Sequence, residues 1–283
     1  MQSLDRRRVL KALAAMPLVA ASFNRAYGEE DILAKIKARG KLIAGTEATY
    51  PPFDFIKDGK VVGYGRDILE NVTRKLNVEL EYVDLPWAGV LPGLLAGKFD
   101  MVAAGVNITP ERAARYAFTL PISEAAPAAL KRKSDTSIKT VEDLSGKVVG
   151  TQLSSAGEQS SRAFDEKLKA AGKPGYKELK TFVSYTECYI ALMNNTVDAV
   201  IQNKASFGAL IKERPGLFDI VGNIGDLRYI AWCTRPEEKA LRDFVSDVIL
   251  DLRNSGKIYE LQDKWFGFRM EIPTSGYLPT GAV

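Results

Sequence analysis

The stretch NITPERAARY (107–116) holds one residue whose type and position suit anion binding. Thr109 can cap a helix through its hydroxyl, Pro110 suits the first helical position because no amide hydrogen is needed there, and good helix formers follow. Arg112 then falls in the first turn, where a cation meets the positive end of the helix dipole at a cost of up to ~1 kcal/mol. A bound anion would offset that cost; a surface arginine snorkelling into solvent is the plain alternative. KVVGTQLSSAGE (147–158) is a second place of the same kind. There the hydroxyls of Ser154 and Ser155 and the free amides of Ala156 and Gly157 precede a helix, as an anion site or as an ordinary cap.

Other chemistries are excluded by composition. The chain has no histidine, which removes Ser-His-Asp and Cys-His catalysis and histidine metal sites. Its two cysteines, Cys188 and Cys233, form no CxxC motif, and both lie in apolar stretches, so two separate buried thiols are expected. GYG (63–65) lacks the third glycine of a dinucleotide fingerprint. No cofactor or metal is expected.

DRRRVLK (5–11) followed by the apolar ALAAMPLVAA (12–21) has the basic region and short apolar core of an export signal, too short to span a membrane. Arg6 and Arg7 resemble the twin-arginine pattern, and Ala26 and Gly28 are spaced for cleavage after Gly28 or a few residues earlier. Residues 1–28 contain five basic and one acidic residue, which accounts for the whole net charge of +4. The remainder is neutral and offers no electrostatic reason to expect a nucleic-acid or acidic-membrane partner.

The elements that must position these residues alternate. EEDILAKIKARG (29–40) reads as an amphipathic helix, KLIAG (41–45) as a buried strand, and 53–64 as a hairpin turned by Asp58 and Gly59. A helix over 67–76, a strand over 78–84, VLPGLLAG, FDMVAAG and the TPER helix follow. A second run has the same grammar: strands at 128–131 and 147–152, a helix at 158–172, then strand, helix and strand at 179–183, 186–194 and 198–202. PISEAAP (121–127), small and proline-bounded, suits a crossover between the runs. YIAWC (229–233), a helix over 237–256 and IYELQDKWFG (258–267) close the chain. The pattern predicts two α/β lobes with mainly parallel sheets, and ligands of such sheets sit at the carboxyl ends of strands.

GTEATYPPFDF, VGYGRDIL, LPGLLAGKFDMVAAGVNITPER, FTLPIS, DLSGKVVG and GKIYELQDKWFG occur in the order found in solute-binding proteins of polar amino-acid ABC transporters, and the chain resembles that family across residues 30–270. The resemblance implies the type II periplasmic-binding-protein fold: two lobes, 29–125 plus 228–283 and 126–227, joined by two crossovers and closing on a ligand in the cleft between them. It implies that Arg112 grips a ligand α-carboxylate, that Gly105 lets backbone approach the ligand, and that Asn107 stands in for a hydroxyl that assists. Ala104 replaces a serine found in some relatives. Tyr50 and Trp87 match aromatics that sandwich the ligand side chain, with lobe packing as their structural alternative. Two departures stand out. Asn203 replaces an aspartate that pairs with the α-ammonium, and Glu47 replaces an aspartate that touches the far end of the ligand. Glu47 can hold a polar tail or serve the ammonium instead. Glu124 and Glu158 are further candidate compensators, or a surface acid and a helix-start acid respectively. Gly65 also replaces an acidic residue.

The expected function is a non-enzymatic periplasmic protein, monomeric, that captures a small carboxylate-bearing, amino-acid-like solute with Arg112, Ser154, Ser155, Tyr50, Trp87 and Glu47. An inner-membrane ABC permease is its expected partner. The competing expectation is a dehydratase of the cyclohexadienyl type on the same fold, with Glu47, Glu158 or Lys204 as its acid. A ligand sensor docking to a receptor is a third.

Overall fold

Strands built from small and branched apolar residues form two separate sheets in the computed structural model, which describes residues 32–283. The expected export signal at 1–28 lies outside the described residues. The first sheet runs in the order Glu79–Asp84, Lys41–Thr46, Met101–Asn107, Tyr229–Thr234, Ala117–Phe118, with Ser123–Glu124 also paired to Tyr229–Thr234. Its first three strands are parallel and the rest antiparallel. The second sheet repeats the plan in the order Glu178–Phe182, Val148–Gln152, Ala199–Asn203, Pro127–Arg132, Phe218–Asn223, again with a parallel trio first.

The chain passes between the sheets twice, after Ser123–Glu124 and after Phe218–Asn223. The crossover expected at 121–127 is therefore tighter than its sequence suggests, since it holds a strand of one sheet and the first residue of a strand of the other. Backbone ties the two passages together, with Ala125 N donating to Arg228 O at 2.7 Å.

Helices cover the sheets by their apolar stripes. Tyr64–Leu76 buries Ile68, Leu69, Val72 and Leu76, the face its spacing predicts, and Lys239–Asn254 buries Leu241, Val245, Val248, Ile249 and Leu252. The hairpin joins Asp54–Lys57 to Lys60–Val62, with Asp58 and Gly59 both left-handed at φ 51° and 72°, as a two-residue turn of that type demands. Lys204–Glu213 and Phe218–Asn223 were not expected; the helix has no clear apolar stripe and the strand is only half-buried.

The TPER helix is a single turn, Pro110–Ala113, capped by Thr109 Oγ1, which accepts from Arg112 N at 3.3 Å. So few aligned peptides sum to a small dipole, and the cost expected for Arg112 shrinks accordingly. Cys188 and Cys233 are both free and buried, as read from their apolar surroundings. Among the described residues no helix is long and apolar enough to cross a membrane, and no group of Cys, Asp or Glu is placed to hold a metal ion.

Candidate ligand cleft between the two sheets

Parallel strands deliver side chains at their carboxyl ends, because there the chain leaves the sheet and the flanking helices leave a crevice. Glu47 follows Lys41–Thr46, Asn107 ends Met101–Asn107, Gln152 ends Val148–Gln152, and Asn203 ends Ala199–Asn203. These ends face one cleft, lined by Glu47, Tyr50, Trp87, Gly105, Asn107, Ser155 and Asn203, whose walls leave only about 30 Å³ free between them, room for a few waters. Arg112 and Ser154 lie instead in the adjoining groove, with Trp87 and Ser155 forming the wall between the two.

The cleft walls already touch. Glu47 accepts from Gln152 Nε2 of the opposite sheet, and from Thr49 Oγ1 at 3.3 Å. Only 5% exposed, it is pushed up to about 7 from 4.5, chiefly by desolvation, which outweighs the hydrogen bonds that favour its charge. Tyr50 accepts from Asn203 Nδ2 across the same gap, and burial raises its phenol to about 12. Its ring stacks on Phe53 at 5.2 Å and on Tyr185 at 5.7 Å. Gly105 is needed beneath it: a Cβ there would sit 2.6 Å from Tyr50 Cε1.

Trp87 Nε1 donates to Ser154 O at 2.9 Å, and the Arg112 guanidinium lies over the Trp87 ring at 5.1 Å. Arg112 donates to Asn107 O and to Ser154 O, each at 3.2 Å. Its acceptors are therefore carbonyls, and desolvation lowers its pKa. Ser154 meets Arg112 through that carbonyl and not through its hydroxyl. Ser155 Oγ accepts from Glu158 N at 3.1 Å and donates to Gln152 O at 2.7 Å, so it caps the helix Ala156–Ala170 while lining the cleft.

Asn203 has a structural duty too. Its Oδ1 accepts from Ser206 N at 2.9 Å and caps Lys204–Glu213. Aspartate and asparagine cap about equally well, so the change from the family residue removes a charge from the cleft without removing the cap. Neither alternative acid fills that gap. Glu158 accepts from Ser154 N at 2.7 Å and pairs with Arg162, the duties of a helix-start acid, while Glu124 does not line the cleft and Lys204 is exposed.

Polar lining residues that escaped sequence reading include Gln152, Ser160, Tyr185, Gln202 and Arg228. Gln152 and Gln202 sit within a residue of the carboxyl ends of parallel strands, a placement that would have found them. Tyr185 Oη donates to Ser155 Oγ at 3.1 Å. Nothing local in the sequence marks Arg228.

Two α/β lobes meeting over a small-molecule cleft, with a buried acid on one wall and amides on the other, define a solute-binding protein of the type II periplasmic fold. The chain belongs to the bacterial extracellular solute-binding proteins, family 3, which match residues 42–268. The L-cystine-binding protein TcyJ of Escherichia coli (strain K12) is 28% identical over 263 residues, covering 92% of this chain and 96% of that one. ABC transporter arginine-binding protein 1 of the same strain is 26% identical, covering 81% of this chain and 92% of the relative. Among solved structures, the ancestral amino acid-binding protein AncCDT-1, a precursor of cyclohexadienyl dehydratase, matches with a TM-score of 0.74 at 28% identity, over 83% of this chain and 99% of that one. These similarities place the chain among the substrate-binding proteins of amino-acid ABC transporters, as its ordered motifs led us to expect.

Proposed function

We infer that this chain is the periplasmic, monomeric substrate-binding component of an amino-acid ABC transporter, delivering a small carboxylate-bearing amino acid or close analogue to an inner-membrane permease. The lobes 29–125 plus 228–283 and 126–227 would close on the solute by a hinge motion. The observation that carries this reading is the pairing of strand ends across one cleft, Glu47 with Gln152 and Tyr50 with Asn203. A ligand entering between the lobes exchanges these contacts for its own. Arg112 takes the α-carboxylate beside Ser155, Tyr50 and Trp87 hold the body, and Glu47 takes the ammonium that Asn203 no longer pairs with. Isothermal titration with a panel of amino acids, opine-like derivatives and simple organic acids tests this. Saturable binding that weakens in Arg112→Ala is the expected result; no binding, or unchanged affinity in that variant, counts against it.

One observation favours the dehydratase reading as an alternative. A carboxyl poised near neutrality inside a closed cleft, as Glu47 is, has the protonation state a general acid needs. Loss of a hydroxyl from prephenate, followed by product absorbance, decides between them: turnover abolished in Glu47→Gln supports the enzyme, and its absence leaves the binding protein.

A further inference from the structure

Arg228 stands on the second crossover and lines the cleft itself, whereas Arg112 lies in the adjoining groove. Its only hydrogen bond from the guanidinium among the described residues is a long one, Nη1 to Gln159 Oε1 at 3.4 Å. The bond from Ala125 N to Arg228 O fixes its backbone against the first crossover, so its position is set by the connection between lobes. Arg112, at the wall of the groove, likewise donates to carbonyls and lies over the Trp87 ring, and desolvation outweighs the nearby charges, Glu111 among them, that oppose it.

Arg228 and Glu47 are the charged groups that line the cleft, and among the described residues no carboxylate hydrogen-bonds Arg228, because Asn203 is neutral and occupied as a helix cap. The remaining wall is also rich in donors. Gln202 Oε1 accepts from the Tyr189 hydroxyl, leaving its Nε2 buried with no acceptor among the described residues. A buried donor and a cation without a carboxylate partner call for a ligand that brings acceptors and negative charge.

We propose that the solute is an amino acid with a second carboxylate, and that Arg228 holds this second carboxylate. This rests on the amino-acid-binding reading and narrows it. The α-carboxylate pairs with Arg112, the ammonium with ionised Glu47, and the side-chain carboxylate with Arg228, so every charge on both partners is matched. A cationic side chain would bring a second positive group beside Arg228, in a cleft lined by one acid. A neutral one would close the lobes over Arg228 without a counter-charge.

Titration calorimetry with L-aspartate, L-glutamate, L-2-aminoadipate, their neutral amides L-asparagine and L-glutamine, and L-arginine tests the assignment. One acidic amino acid should bind at least tenfold more tightly than its amide. Arg228→Gln should weaken that ligand by tenfold or more while changing the amide less than threefold, and Arg228→Lys should recover part of the loss. Because Arg228 is half-exposed with one weak contact, these variants should keep the wild-type circular dichroism and melting temperature. Preference for L-arginine or for an amide, or equal weakening of every ligand in Arg228→Gln, overturns this inference alone. Binding of no amino acid overturns the reading beneath it as well.

Discussion

Glu47 and Gln152 meet across the cleft, a carboxylate from the exit of one sheet accepting from an amide at the exit of the other. The contact ties the two lobes through a group that burial holds near neutrality, with a pKa of about 7. Its protonation state is thereby coupled to the closed arrangement of the cleft.

Glu47 should make stability fall as pH rises. Its folded pKa is raised above the ordinary 4.5, so folding favours the protonated form. The stabilising contribution is complete below about 4.5 and is lost as pH climbs through about 7, a total on the order of 3 kcal/mol. Urea denaturation of wild type and Glu47→Gln between those limits should show a smaller dependence on pH in the variant. An identical slope in both would place the titration elsewhere.

Arg112→Ala should weaken ligand binding by about 10- to 150-fold, the worth of a charge-assisted hydrogen-bonded pair of roughly 1.5–3 kcal/mol. Arg112→Lys should remain well below wild type, because an ammonium cannot present the planar fork. Calorimetry under matched salt measures both.

Asn203→Asp separates the two duties of that side chain. The cap on Lys204–Glu213 is kept, but the carboxylate is buried and gives up the amide donor to Tyr50, so the ligand-free protein should lose about 1–3 kcal/mol of stability. The carboxylate introduced by this change would restore a partner for an α-ammonium, and affinity for zwitterionic amino acids should rise about tenfold. Removing the oxygen acceptor in Asn203→Ala should instead cost about 1 kcal/mol of stability.

Asp54 is a buried acid whose oxygens find no hydrogen-bond partner among the described residues, and burial, only partly offset by Arg66, holds its pKa well above the usual carboxylate range. Its protonated form is favoured in the fold, so its contribution is present at low pH and lost as pH rises through the folded value. Asp54→Asn should flatten the fall of stability with rising pH, read from urea midpoints across a pH series, whereas an unchanged pH dependence would place that titration elsewhere. Asp54 also accounts for Gly65, since a Cβ there would come within 2.6 Å of Asp54 Oδ2.

Much of the architecture was legible in the sequence because hydrophobic period is a local property. The stripe of Tyr64–Leu76, the Asp58–Gly59 turn and the buried run of Met101–Asn107 each declare themselves within a few residues. Lys204–Glu213 did not, because its environment on the second sheet, and no stripe of its own, makes it a helix. For the cleft, residues at strand exits were readable, since topology assigns them a place before any contact is known. Ser154 shows the limit: its type suggested a hydroxyl donor, whereas a left-handed backbone at φ 59° accompanies a contact in which its carbonyl faces Arg112.

By itself the sequence determined the alternation of strand and helix, the ordered motifs of the family, and the absence of histidine chemistry. Tertiary structure alone decided what the charged groups face. Glu47 acquires its elevated pKa from walls contributed by distant segments, and Arg228 enters the cleft because two crossovers are hydrogen-bonded side by side. Desolvation and charge balance depend on everything within several ångströms in space, and no window of neighbouring residues contains that information.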